Sequence, residues 1–287
     1  MTEATTPSPP APSTVRESRA DALIGKDLPA ITRAHVRLVR KSLEPGLFDQ
    51  ALRLGQRTFG CNWIELCTRN IRHVHGRERI GTLDPNKSYV CVSNHRSFFD
   101  MYVITAYLVK RGMPHRILFP VRSNFFYDQP LGIVVNGVMS FFAMYPPVFR
   151  ERKQAHLNLA SLDETSRLLR QGGMFVGLHP EGTRNKTDDP YALLPAQSGV
   201  GRIIHQARVE VLPVFINGLG NDLPKQVAGN FNRKGNPINV VFGAPVDFGA
   251  LMNSPPSPRV FKQVADRTLD AVRALGEEER VIRAAQT

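Results

Sequence analysis

Cysteine is scarce in this chain: Cys61, Cys67 and Cys91 are the only three among 287 residues. The count is odd and the spacing matches no metal-binding pattern, which argues against a disulfide framework and for a reducing compartment. Cys91 lies inside an apolar run and reads as core. Long apolar runs are also missing. No stretch approaches the roughly 20 apolar residues that span a bilayer; the longest candidate, Leu131 to Phe149, is broken by Asn136, Gly137, Ser140 and two prolines. The N-terminus, MTEATTPSPPAPST, has no apolar centre, so it is no secretory signal. Its Pro/Ser/Thr bias predicts a disordered tail over residues 1–26. No G-x-S-x-G elbow is present, which excludes the commonest serine hydrolase arrangement. Gly-rich loops of the P-loop or dinucleotide type are lacking too.

What the chain does have is positive charge. Lys and Arg number 37 against 25 Asp and Glu, giving a formal charge of +12 and a pI near 10.1. Such a balance suits an anionic partner (nucleic acid, acidic phospholipid or a phosphorylated metabolite) or else a solvated surface. The basic residues are spread along the chain without an RRM, zinc-finger or helix-turn-helix signature, so nucleic acid is not expected as a partner.

The length suits one large domain of mixed class. Residues 27–73 read as helical. In ITRAHVRLVRKSL, Arg33, Arg37, Arg40 and Lys41 fall on one helix face, with Ile31, Ala34, Leu38 and Val39 on much of the other. A second helical stretch carries a broad apolar stripe from Leu47 to Ile71, suited to packing on the main domain or to a membrane interface. Over residues 74–287 strands alternate with helices. Strands are expected at 89–93, 116–120, 174–178, 211–216 and 238–242, and helices at 97–111, 155–171, 199–207 and 259–275. This alternation predicts an α/β fold with a largely parallel central sheet flanked by helices.

Four constellations carry chemistry. In YVCVSNHRSFFD an apolar strand stops at Asn94-His95 and Asp100 follows five residues after the histidine. Histidine with a carboxylate in reach is the minimum equipment of a general base. Residues five apart lie about 140° out of phase on a helix, so the pair can meet only if His95 sits in the turn and Asp100 opens the next helix. Spacing alone proves little, since His73/Glu78 and His205/Glu210 share it. The second constellation, FVGLHPEGTRNK, is an apolar strand opening into a loop, the usual place for ligands in α/β proteins. There Arg184 and Lys186 suit a phosphate, and Glu181 suits a hydroxyl or the orientation of Arg184. The third, YPPVFRER, re-aims the chain at a Pro-Pro step ahead of Arg150 and Arg152. In the fourth, VLPVFING, Pro213 within a strand predicts an edge position or a cavity wall.

In this order and spacing, from about Tyr89 to Val214, the four motifs resemble those of the glycerolipid acyltransferase family, which includes the 1-acylglycerol-3-phosphate acyltransferases. The resemblance implies that His95 takes the proton of an acceptor hydroxyl, that Asp100 orients His95, and that the oxygen attacks the thioester of acyl-CoA or acyl-carrier protein. It assigns Glu181, Gly182, Thr183 and Arg184 to the glycerol-phosphate part of the acceptor, Arg150 to its phosphate, and Pro213 to the neighbourhood of the acyl site. Arg152 competes with Arg150, because the Gly that usually opens the family's second motif is replaced near Met144 or Tyr145. No cofactor or metal is implied beyond the thioester co-substrate, and no metal-type cluster is visible in the sequence. A lysophosphatidate-like acceptor is expected, with glycerol-3-phosphate, another lysolipid or a non-enzymatic anionic-lipid or nucleic-acid binder as alternatives. The basic face of residues 33–41 is expected to seat a cytoplasmic, peripheral protein on an anionic membrane surface.

Overall fold

A computed structural model of the chain describes residues 21–149 and 151–286. Helices α1 (Ala30–Ser42), α2 (Leu47–Gly55) and α3 (Cys61–Thr68) come first, the last two joined by a π turn at Gln56–Gly60. Then follow β1 (Arg72–His75), β2 (Tyr89–Ser93), α4 (Asp100–Lys110), β3 (Arg116–Leu118) and β4 (Val121–Arg122). Helix α5 (Pro130–Val134) runs into a π turn at Val135–Met139 and precedes β5 (Pro147–Val148), α6 (Leu157–Gln171) and β6 (Met174–Leu178). The chain ends with α7 (Ser198–Ala207), β7 (Glu210–Asn217), α8 (Leu223–Asn232), β8 (Ile238–Phe242) and α9 (Pro258–Ala284). Part of the expected tail is folded: Asp21–Ile24 form a 3-10 turn with Leu23 fully buried.

The main sheet has the order β1-β8-β7-β2-β6-β3, and β7–β8 is its one antiparallel neighbour pair. The central strands YVCVS, MFVGL and INVVF are buried throughout, as strands covered on both faces must be. Gly177 of β6 allows a close approach that matters downstream. A Cβ there would lie 2.7 Å from the Phe119 ring and 2.8 Å from Met101 Sδ. Without that Cβ the first turn of α4 settles onto the sheet, carrying Asp100 with it.

Two sequence expectations change. Pro213 is on neither edge: β7 lies between β2 and β8. The ring is tolerated because the β7–β8 ladder ends there. Gly243 N donates to the Pro213 carbonyl at 2.9 Å, and the missing N–H costs only the return bond of that last pair. The basic face of α1 is also smaller than expected. Glu164 is fully buried and needs cations, and it draws Arg40 inward to 3.2 Å while accepting from Tyr145 Oη at 2.7 Å. Arg33 donates to the Leu28 carbonyl at 2.8 Å. Arg37 and Lys41 stay exposed, and the buried side of α1 is Thr32, His35, Val36 and Val39, with Ala34 and Leu38 turned outward.

Helices α2 and α3 pack on the open side of the sheet. The Gln56 side-chain amide both accepts from Ile117 N and donates to the Ile117 carbonyl, each at 3.2 Å, so it covers the outer edge of β3 as a further strand would. Buried Arg116 approaches Asp49 of α2 at 3.7 Å and donates to the Phe141 carbonyl at 2.8 Å.

Candidate active site

The loops at the C-terminal ends of β2, β6 and β7 converge, which is where open α/β sheets hold ligands. Asn94 begins the divergence. Fully buried past the end of β2, it exchanges two 2.9 Å hydrogen bonds with the backbone N–H and carbonyl of Ile216 and so fastens β2 to β7. The chain then turns, and residues 95–99 wrap around the carboxylate of Asp100. Asp100 Oδ2 accepts from Arg96 N at 2.8 Å, from Ser97 N at 2.9 Å, and meets His95 Nδ1 at 3.2 Å. The turn is what lets two residues five apart meet.

Carboxylate oxygens only accept, so the His95 proton resides on Nδ1 and the Nε2 lone pair is left for a substrate. Burial lowers the His95 pKa, and the positive charges of Arg184 and Arg122 lower it further. Burial raises that of Asp100, opposed by His179 and by the amides of Ser97 and Arg96. The lowered His95 pKa keeps the imidazole neutral at neutral pH, the form a base requires, while Asp100 remains a carboxylate there.

Glu181 is bonded to backbone on both sides. One oxygen accepts from His95 N at 2.9 Å and the other from Leu194 N at 2.7 Å, and the side chain is buried. Both oxygens are thus committed to backbone, and Glu181 ties the His95 turn to the loop beyond it. Gly182 adopts a left-handed conformation with φ +66°, where a Cβ would strike Gln197 at 2.8 Å. Its turn directs Thr183 and Arg184 outward. Arg184 is exposed and reaches Asn221 Oδ1 at 3.4 Å; Thr183 Oγ1 accepts from Arg122 at 3.4 Å. Pro213 stays apart from this cluster: it pairs with Val92 and its ring faces Gly243. From the β7 end it is Asn221, four residues past the strand, that reaches the site, donating to the Arg96 carbonyl at 3.4 Å. Arg150 lies outside the described residues. The strand before it, β5, pairs in parallel with β4, setting Arg122 opposite Val148.

Sequence reasoning passed over Arg122, Asn221 and His179. His179 lies against His95 with ring centroids 3.8 Å apart and planes 9° from parallel. Its only available signal was its place at a strand end, one residue before Pro180. Because β2 and β6 are neighbours, His95, Asp100 and His179 together bring three possible metal-ligand atoms within 4.8 Å of one another, a grouping the linear sequence hid. The parallel rings send their in-plane lone pairs side by side, so the two histidines do not converge on one ion as they stand.

Two residues after Asp100, Tyr102 helps to line a small apolar groove between α3, α4 and the π turn after α5, with Cys61, Ala106, Met139 and Phe141 among others. The helical segments that flank it also carry exposed apolar side chains. Leu47, Leu54 and Phe59 on the α2 side and Leu131, Val134 and Val138 on the α5 side are each 57–85% exposed. The two sides meet through Phe59–Phe141 and Phe48–Phe142 edge contacts at 6.2 and 6.3 Å. Among the described residues no helix is long and apolar enough to cross a membrane.

Residues 71–217, half of the chain and more, match the family model described as Acyltransferase. The fold is similar to that of the 1-acyl-sn-glycerophosphate (LPA) acyltransferase, PlsC, from Thermotoga maritima. The TM-score is 0.51 and the identity 18%, over 92% of this chain and 98% of that one.

Proposed function

Since this chain belongs to the acyltransferase family, we propose that it moves a fatty acyl group from a thioester to the hydroxyl of a phosphate-bearing glycerolipid, with His95 as the base. The observation that carries this reading is the His95 Nδ1–Asp100 Oδ2 contact at 3.2 Å, with Arg122 and Arg184 charged nearby.

His95 Nε2 accepts the hydroxyl proton as the acceptor oxygen bonds to the thioester carbon. Asp100 stabilises the resulting imidazolium through Nδ1–H. When the tetrahedral species collapses, the C–S bond breaks and the leaving thiolate takes the proton back from Nε2. Arg122 and Arg184 hold the phosphate of the acceptor, with Thr183 beside them and Arg150 of the third motif assigned the same task, which favours a lysophosphatidate-like molecule over a neutral glyceride. Glu181 and Gly182 shape the loop that presents them. The acyl chain takes the groove beside α4, an assignment that the lining of Tyr102, Met139 and Phe141 supports better than the position of Pro213 does.

The exposed leucines and valines on α2 and α5 seat the protein peripherally on the cytoplasmic face of an anionic membrane, beside which its substrates lie. Arg37 and Lys41 add a smaller electrostatic share. The deciding experiment is an acyl-transfer assay with purified protein, crossing acyl-CoA and acyl-carrier-protein donors against lysophosphatidate, glycerol-3-phosphate and phosphate-free monoacylglycerol. Turnover with the phosphate-bearing acceptors and little with monoacylglycerol is expected. Absence of acyl transfer to every acceptor would overturn the reading.

A further inference from the structure

Hydrogen bonds at its edge do not by themselves fix the plane of an imidazole. The Nδ1–H···Asp100 contact and the Ser97 backbone hold the His95 ring from its edge but leave its plane free to rock, swinging Nε2 through an arc. Nε2 is the atom that must meet the acceptor proton. Something has to remove this freedom, and the structure offers one object against the ring face: His179, at 3.8 Å and 9°.

His179 is itself pinned. Its Nδ1 lies 3.1 Å from the Ser93 carbonyl and 3.0 Å from the Asn94 carbonyl, with Ser93 Oγ at 3.3 Å. Carbonyls only accept, so this nitrogen carries the proton and donates it, which fixes the His179 tautomer and ring plane. Those carbonyls belong to the end of β2, directly ahead of His95. Plate and base are therefore referenced to the same two residues of backbone, although one ring comes from β2 and the other from β6. Burial and the neighbouring His95 keep His179 from taking a second proton, so the plate adds no positive charge against the imidazolium.

We propose that His179 is a positioning residue for the acyl-transfer base: its pinned ring is the plate that stops the His95 ring from rocking, while Asp100 holds the edge. The proposal rests on His95 being the base, and it adds a residue to which no role follows from the EGTR loop that it precedes.

The test compares His179→Ala, which removes the plate, with His179→Phe, which keeps a flat ring and loses only its pin. His95→Ala serves as the control, and folding is verified by circular dichroism and thermal unfolding. Since misplacement by about 1 Å can cost about 100-fold, His179→Ala is expected to lower kcat by about 10- to 100-fold with both KM values nearly unchanged. His179→Phe should recover most of that loss. Side-chain nitrogen NMR supplies a readout independent of turnover: His95 should keep its neutral Nδ1–H tautomer in all of these proteins, held by Asp100, while relaxation should show a rigid His95 ring in the native protein and in His179→Phe and a mobile one in His179→Ala. A folded His179→Ala protein with native kcat and a rigid His95 ring overturns the proposal, as does an equal loss in the Ala and Phe variants. If His95→Ala itself retains native turnover, the underlying reading fails instead, whatever position 179 shows.

Discussion

The cluster around His95 and the helical shelf made by α2, α3 and α5 sit side by side and are built on opposite principles. Around His95 the polar groups are densely bonded, Asp100 Oδ1 excepted: Asp100 Oδ2 takes two backbone amides and an imidazole, Glu181 takes two amides, and Asn94 takes a full backbone pair. The shelf instead leaves Leu47 85% and Leu131 63% exposed and makes few polar contacts on that side. A rigid polar frame suits proton transfer, where small displacements matter; an apolar shelf suits a lipid chain, which has no directional groups to read. On the proposed function the contrast separates chemistry from substrate delivery, and each half should fail in its own way.

The sharpest break is in the frame. His95→Ala should reduce turnover by about 1,000-fold or more, within the span of general-base contributions, while circular dichroism and vesicle binding stay native. Next comes Glu181→Ala, which strands two buried amides. It should lower unfolding stability by about 2–4 kcal/mol in denaturant titration and reduce kcat with it. A rise in acceptor KM at unchanged stability would show that Glu181 meets substrate instead.

On the shelf, Leu54→Ser combined with Leu131→Ser should weaken binding to anionic vesicles by about 100-fold or more, since each buried leucine is worth about 1.5–3 kcal/mol. Turnover on soluble short-chain substrates should be spared. Arg37→Gln with Lys41→Gln should cost less, about 10- to 30-fold at low salt and less as salt rises, at about 1 kcal/mol per charge. A binding loss of equal size at high salt would reverse the weighting of apolar and charged contacts.

The smallest effect concerns pH. His95 is depressed from 6.5 and Asp100 is raised from 3.8, so the acid limb of kcat/KM should fall between those values. As pH drops, His95 loses its lone pair to a proton, Asp100 becomes unable to support the imidazolium, and activity declines; above neutrality neither group changes state. Arg184→Gln removes a positive neighbour and should move the limb slightly upward. A limb above 6.5 in the native protein would contradict a neutral, buried base.

Much of the frame was readable before the structure. β2, β6 and β8 are short apolar runs bounded by turn signals, and the His95–Asp100 pair follows from one strand end and the next helix start. The expected helix from residue 97 begins instead at Asp100, because the Asp100 carboxylate takes the amides of residues 96 and 97 and holds them in a turn. Strand β1, RHVH, was missed, having a single apolar residue and an edge position. Helix α9 runs to Ala284 rather than 275, as its last turns are held by Glu279 bonding to Asn217, Asn239 and Arg283. Arg122, His179 and Asn221 escaped notice for a common reason: their partners come from other strands, 37 to 125 positions away, and no local pattern encodes such meetings. The shelf was half readable. Its apolar stripe was evident over residues 47–71, but the matching side from α5 was hidden in a segment read only as too interrupted to span a membrane.

Gln56 carries a consequence for anyone who would trim this protein. The matched stretch, 71–217, begins after Gln56 and ends before β8, so an excised version would leave the backbone of Ile117 bare at one margin of the sheet and β7 bare at the other. An uncovered strand invites pairing with its own kind, and such a fragment should precipitate or form ladders of copies where the full chain stays dispersed. A glutamine far from the chemistry thus helps to decide whether this protein remains a solitary particle.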